Sequence, residues 1–344
     1  MLEKIKSLGS EFPRSFRILV AATFIDRLGG TMIFPFFSLY IAQHFNVSMT
    51  QIGLLFGLWS ISSMVGSMIG GALTDKFGRK KMIVYGLVLS ATSSILMGLV
   101  NDLRLFAVIT VLVGLLAEAG GPAQSAMVAD LLPEGKRTEG FGILRVSSNI
   151  AWVIGPAVGG LLVGISYLLL FILDAISSTI TAGIVHFTLP ETKPHEDKEK
   201  TSQTLMQTLA GYRVVAKDKL FVGFILVSIL MILVYGQMYG TLSVFLNSVH
   251  GVSARGYGYL MSMNAALVVL FQFWIMRKIK SYPLFIIMTV ATMLYCVGFG
   301  LYGLVSAYGL FVLAMVIITV GEMLHIPTSQ ALVAKFAPEE MRGR

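Results

Sequence analysis

The feature that most constrains this chain is a succession of ten long apolar stretches, at about 16–43, 51–73, 82–100, 105–131, 140–163, 167–188, 221–247, 256–276, 283–303 and 308–334. Each supplies the roughly 20 apolar residues that a helix needs to cross a hydrocarbon layer about 30 Å thick. Inside such a layer the backbone must satisfy its own polar groups, which a helix does within one segment. Only 13% of the 344 residues are charged, against roughly 25% in soluble domains. The sequence therefore excludes a water-soluble fold and predicts an all-α polytopic membrane protein with no soluble catalytic domain. The single cysteine, Cys296, lies inside an apolar run, which excludes an intrachain disulfide and a cysteine-built metal site.

A net charge of +8 suggests nucleic acid when it occurs in a soluble protein, but here the positions of the basic residues give topology instead. Ten spans place both ends on one side. The loops of that side hold Lys4, Lys6, Arg14, Arg17, then Lys76, Arg79, Lys80, Lys81, then Lys136 and Arg137. They continue with Lys193, Lys198, Lys200, Arg213, Lys217, Lys219, then Arg277, Lys278, Lys280, and finally Lys335, Arg342 and Arg344. The opposite loops hold Arg104 and Arg255, while Arg27 and Arg145 fall inside spans. By the positive-inside rule both ends face the cytoplasm, which fits a plasma membrane. The first span is too long for a cleaved leader and carries Asp26 and Arg27, so it is read as a retained helix.

The one long hydrophilic segment, 190–219, opens with PETKPHEDKEK and ends in a stretch where Leu205, Leu209 and Val214 suggest a short amphipathic helix at the membrane surface. It divides the chain into an N-terminal bundle, 1–189, and a C-terminal bundle, 220–344. An internal repeat supports that division. Pro122, Ala126, Val128, Ala129, Pro133, Glu134 and Arg137 recur at a constant offset as Pro327, Ala331, Val333, Ala334, Pro338, Glu339 and Arg342. The match lays the fourth span on the tenth, as expected of two bundles of six helices related as parallel repeats. On that register the second bundle is truncated to four helices, with its last two spans missing; a true ten-span form is the alternative.

Between the second and third spans stands Gly70-GALTDKFGRKK-Met82. Its glycines permit a tight turn, Asp75 can cap a helix N-terminus, and Arg79 can pair with an acid across the cytoplasmic face. A positive-inside anchor accounts for the basic residues but not for Gly71, Leu73, Asp75, Gly78 and Arg79 at these intervals. This spacing resembles the signature loop of the major facilitator superfamily, a resemblance that extends over the whole chain. It implies a two-bundle secondary transporter with a central cavity and alternating access. It also implies a conformational latch of Gly71, Asp75, Gly78 and Arg79, with Asp130 as the partner of Arg79. The second-half counterpart around Arg277 lacks the glycines and the acid.

The fifth span carries Arg145 and Asn149, then Ala151-WVIGPAVGG-Leu161. Small residues at helical spacing let helices approach closely, and a proline within a span bends it. The group Arg145, Gly155, Pro156, Gly159 and Gly160 resembles the glycine-proline motif of the superfamily's bacterial drug/proton antiporters, the multidrug-resistance permeases. Ser147 and Ala151 replace two of its usual glycines, and generic tight packing is the competing account of the spacing.

Ionisable residues inside spans are costly and face a cavity or a partner. Asp26, Glu118 and Glu322 fall near the bilayer midplane, where a carboxyl deprived of water can exchange a proton near neutral pH. With Arg27 they are the candidates for proton coupling and attraction of substrate. The competing reading neutralises Asp26 in a structural pair with Arg27 or Arg145. Asp174 reads equally as a satisfied helix contact or a ligand. Tyr235, Gln237, Tyr239, Asn264 and Gln272 are cavity candidates, polar or aromatic groups in apolar surroundings.

No histidine-carboxylate spacing suggests a metal, and no Walker loop suggests an ATP-driven pump. The sequence is read as a secondary active transporter and not an enzyme. It needs no bound cofactor, with the proton gradient as energy source. Its partners are a small-molecule substrate, protons and membrane lipids, without nucleic acid, and it is taken as monomeric. The leading expectation is multidrug efflux, the proton-coupled export of lipophilic or cationic compounds. Transport of a sugar, amino acid or other metabolite, and a non-transporting sensor or inactive fragment, are the alternatives.

Overall fold

In the computed structural model the described residues are 11–116, 120–193 and 219–336. Glu118, most of the linker and residues 337–344 lie outside them. Among the described residues ten helical segments are long and apolar enough to cross a membrane, and no strand occurs. Phe187 and Phe273, 84% and 74% exposed, would be poorly placed in water and suit a surface solvated by lipid.

The first span is α1 (Arg14–Ile33), a 3-10 turn (Phe34–Phe36) and α2 (Phe37–Phe45). Pro35 opens the turn, where its missing N–H leaves an α-helical bond unmade. Next comes α3 (Met49–Phe77), started by a capping box: Ser48 Oγ accepts the Gln51 N–H, and Gln51 Oε1 accepts the Ser48 N–H at 3.0 Å. The chain continues through α4 (Arg79–Leu99), α5 (Leu103–Leu116), α6 (Gly120–Leu131), α7 (Glu134–Val163) and α8 (Tyr167–Thr188). Beyond the linker are α9 (Lys219–Gly240), α10 (Leu242–His250), α11 (Ala254–Ile279), α12 (Leu284–Leu304) and α13 (Tyr308–Phe336).

Two details differ from the sequence expectation. The glycine-bearing connection between the second and third spans is almost wholly helical. Gly71, with open space beside it, and Asp75 both lie in α3, and the turn is Gly78 alone, at φ 100°. A side chain resists that conformation. The seventh span breaks at Thr241 and resumes as α10, ending at His250 against Gly251 in the left-handed conformation.

Contacts divide the chain into two compact units, residues 1–194 with 239–266, and 195–238 with 267–344. In the first, α4 lies along α8, α1 against α7 and α8, and α3 against α5. Two apolar layers occupy the ends of these helices. One gathers Phe16, Leu19, Met82, Met127 and Leu189; the other gathers Tyr40, Ile52, Met97, Phe106 and Phe171. Along α1, α4 and α8 the residues between the layers include Asp26, Ser90, Ser94, Asp174 and Ser178, so the fold leaves a polar level midway through this unit. In the second unit α12 lies along α13, with Ile287, Ala291 and Leu324 buried between them.

Candidate functional site

At the polar level of the first unit lies a cavity of about 440 Å³. One wall is aromatic. Phe34, held at the break in the first span, has ring centroids of Trp59 at 6.4 Å and Trp152 at 6.1 Å. Tyr239 stands behind them, 5.6 Å from Phe34 and 5.4 Å from Trp152. Asp26, Arg27, Ser90, Gln124 and Asp174 also line the cavity.

Helical periodicity positions the acids. Asp174, Ser177, Ser178 and Thr181 fall at i, i+3, i+4 and i+7, one face of α8, and all four are buried. Ser178 Oγ donates to Asp26 Oδ1 at 2.8 Å and Thr181 Oγ1 to the Ala22 carbonyl at 3.1 Å. Ser94 Oγ of α4 donates to Asp174 Oδ2 in a short contact. On α6, Gln124 Nε2 donates to Thr23 Oγ1 at 2.6 Å. The ion pairs found among the described residues, Arg79 with Asp75 and Asp130 and Lys136 with Glu11, do not involve Asp26. Arg27 shares the cavity with Asp26, while Arg145 is exposed on α7 and does not line it.

Small residues bring α7 against this wall. A Cβ at Gly155 would collide with Thr31, and one at Gly159 with the Met32 carbonyl. One at Gly160 would stand 2.9 Å from the Ala254 carbonyl oxygen. Thr31 Oγ1 donates to the Ala151 carbonyl at 3.1 Å. Pro156 lies within the unbroken α7, and its carbonyl abuts Gly258 of α11.

At the end of the unit where α3 turns into α4, the Arg79 side chain, 11% exposed, donates from Nε to Asp130 Oδ2 at 3.0 Å. Asp75 is largely exposed, 3.5 Å from Arg79 Nη1. The carboxylate at the start of α4 is instead that of Glu191, whose Oε1 accepts the backbone N–H of Arg79 at 2.7 Å and of Lys80 at 3.3 Å.

The other candidates are dispersed. Glu118 lies outside the described residues. Tyr235, Gln237, Gln272 and Glu322 belong to the second unit. There Gln272 Nε2 donates to the Met323 carbonyl at 3.0 Å, Gln237 Nε2 to the Leu233 carbonyl, and the Tyr235 ring lies tilted beside Tyr295, 5.9 Å between centroids. Glu322 is half-buried and Asn264 is buried. Sequence reasoning left Asp174 undecided and Trp59, Trp152 and Glu191 outside the site. The polar stripe of Asp174, Ser177, Ser178 and Thr181 on an apolar span is the signal that marks the first of these.

A family model for the Major Facilitator Superfamily matches residues 19–344. The chain belongs to the major facilitator superfamily. As a member of that superfamily it is a multi-pass membrane transporter and not an enzyme. It is 27% identical to a Na(+), Li(+), K(+)/H(+) antiporter of Planococcus maritimus, over 97% of this chain and 85% of that protein. Multidrug resistance protein 2 of Bacillus subtilis is 29% identical, over 54% of this chain and 46% of that protein. Among solved structures, a bacterial homologue of the human lysosomal transporter Spinster, inward-facing and unoccupied, superposes with a TM-score of 0.77. It is 17% identical, and the match covers 96% of this chain and 76% of that one.

Proposed function

We propose that this transporter exports lipophilic monovalent cations in exchange for protons, by alternating access across the plasma membrane. The observation that carries the reading is Asp26, held by Ser178 inside a cavity of about 440 Å³ that Phe34, Trp59 and Trp152 also line. Aromatic faces attract cations, most strongly where water is excluded, and the volume falls in the range of sites for organic ligands. A carboxyl inside a span supplies both the countercharge and a proton-exchanging group. Glu118 and Glu322 are further candidates for proton coupling. The proton gradient is the energy source, the protein works as a monomer, and its basic loops face the cytoplasm.

Efflux of a fluorescent lipophilic cation from cells expressing the transporter tests this. Efflux is expected to stop on adding a protonophore and to fail in Asp26→Asn at equal expression; efflux no faster than from empty cells sinks the reading. A second reading, exchange of alkali cations for protons, is favoured by the likeness to the antiporter of Planococcus maritimus over 97% of this chain. Under it, Na(+) or K(+) added to everted vesicles dissipates a preformed pH gradient and the organic cation does not.

A further inference from the structure

The cavity contains a second carboxyl, Asp174. Asp174 of α8 is 8% exposed and lies against the turn of α1 that follows Asp26. A Cβ at Gly29 would stand 2.8 Å from Asp174 Oδ1, and one at Gly30 3.9 Å. Ser178, one helical turn beyond Asp174, is the residue that donates to Asp26. The two acids are therefore joined through one face of α8 and open into one cavity.

The groups that face them can be named element by element. Arg27 is contributed by α1, Ser90 and Ser94 by α4, Gln124 by α6 and Trp152 by α7. Asp26, Asp174 and Arg27 are thus the charged or titratable side chains lining this cavity among the described residues, and Glu118 lies outside those residues. Two carboxylates and one guanidinium in one cavity leave one negative charge that a single proton neutralises. With one proton between them, the pair carries a single negative charge, which Arg27 balances. A monovalent cation entering this neutral site adds one positive charge, and an unbalanced charge inside a span is strongly disfavoured. Release of the one shared proton restores neutrality.

We propose that Asp26 and Asp174 hold a single shared proton and exchange it one for one for a monovalent cation, with Arg27 as the fixed countercharge. On cation entry from the cytoplasm the O–H bond of the protonated carboxyl breaks and its proton leaves to cytoplasmic water. On cation departure outward, a proton from outside re-forms that bond. One cycle carries one proton in and one cation out, so it moves no net charge. The inference rests on the proposed export of lipophilic cations.

The test is calorimetric titration of the purified full chain with tetraphenylphosphonium, in buffers of different ionisation enthalpy, which yields protons released per cation bound. The parent is expected to release one proton per cation. Asp26→Asn and Asp174→Asn should each release almost none and bind about tenfold more weakly. Asp174→Glu, which returns the acid and guards against a folding artefact, should restore release, and Glu139→Gln, at an exposed acid of α7 outside the cavity, should leave it unchanged. Binding by the parent without proton release, or full release in Asp174→Asn, would each overturn the shared proton and leave cation export standing. A parent that does not bind tetraphenylphosphonium sinks the export reading and the exchange together.

Discussion

The Oε1 atom of Glu191 accepts the backbone N–H of Arg79 at 2.7 Å, joining the segment after α8 to the first residue of α4. The first turn of a helix leaves N–H groups without partners and favours a negative charge. Gly78, the residue before α4, has no side chain to serve them. A carboxylate from more than a hundred residues away does so instead, and the same segment sends Thr192 Oγ1 to Asp130 and Lys193 Nζ to the Lys76 carbonyl. Glu191→Ala is expected to destabilise the protein by about 1–2 kcal/mol, the range for loss of a charged helix cap. Glu191→Gln, which keeps an acceptor, should fall between the two. Tryptophan-fluorescence melting in detergent reads the difference, and an alanine variant melting with the parent would remove the capping role.

Arg79 is the hub on the other side of that junction. Its Nε–H donates to Asp130 from a side chain that is almost wholly buried, so removing either partner strands the other in poor solvent. Arg79→Gln and Asp130→Asn should each cost about 1.5–3 kcal/mol, while the double variant should cost clearly less than their sum. A thermal-stability cycle over the four proteins measures the coupling; strict additivity would mean that the 3.0 Å contact contributes nothing. Arg79→Lys should not rescue, because an ammonium lacks the guanidinium fork.

Legibility of this fold in the sequence followed the range of the physics involved. Span positions depend on local apolar content, and the sixth span, 167–188, coincides with α8. The break at Phe34–Phe36 is marked locally by Pro35, whereas the one at Thr241 has no equally plain local mark. Asp26 stood out because a charge in an apolar run is conspicuous by itself. That Asp174 shares its cavity depended on the phase of α8 relative to α1, which a linear pattern does not state. Trp59 and Trp152 are indistinguishable in sequence from lipid-facing aromatics until Phe34 is seen between them. Glu191 reads as the start of a linker, and its backbone partners on α4 are invisible without the tertiary fold.

Close helix approach around the cavity predicts a sharp contrast among glycines. A Cβ at Gly29 would collide with Ser177 Oγ, and one at Gly159 with the Met32 carbonyl, whereas Gly57 and Gly183 have open space. Forcing a side chain into packed backbone costs about 1–3 kcal/mol or more. Gly29→Val and Gly159→Val are therefore expected to lower the melting temperature and abolish transport, while Gly57→Ala and Gly183→Ala leave both near the parent. Equal tolerance at all four positions would contradict the helix contacts.

The aromatic wall predicts how the cavity separates cations from neutral compounds. Trp152 lies edge-on to Phe34 and near Tyr239, so shortening it to alanine removes a cation-attracting face as well as bulk. The loss of a partly desolvated cation–π contact is about 0.5–2 kcal/mol, or a roughly two- to thirtyfold weaker affinity. Trp152→Phe keeps a face of lower negative potential and should lose less. Trp274, 59% exposed on α11, is the control, because it does not line the cavity. Competition binding with tetraphenylphosphonium and an uncharged compound of matched shape distinguishes the two contributions. If Trp152→Ala weakens both equally, the wall acts by shape alone; a selective loss for the cation means that the rings, together with Asp26, recognise its charge.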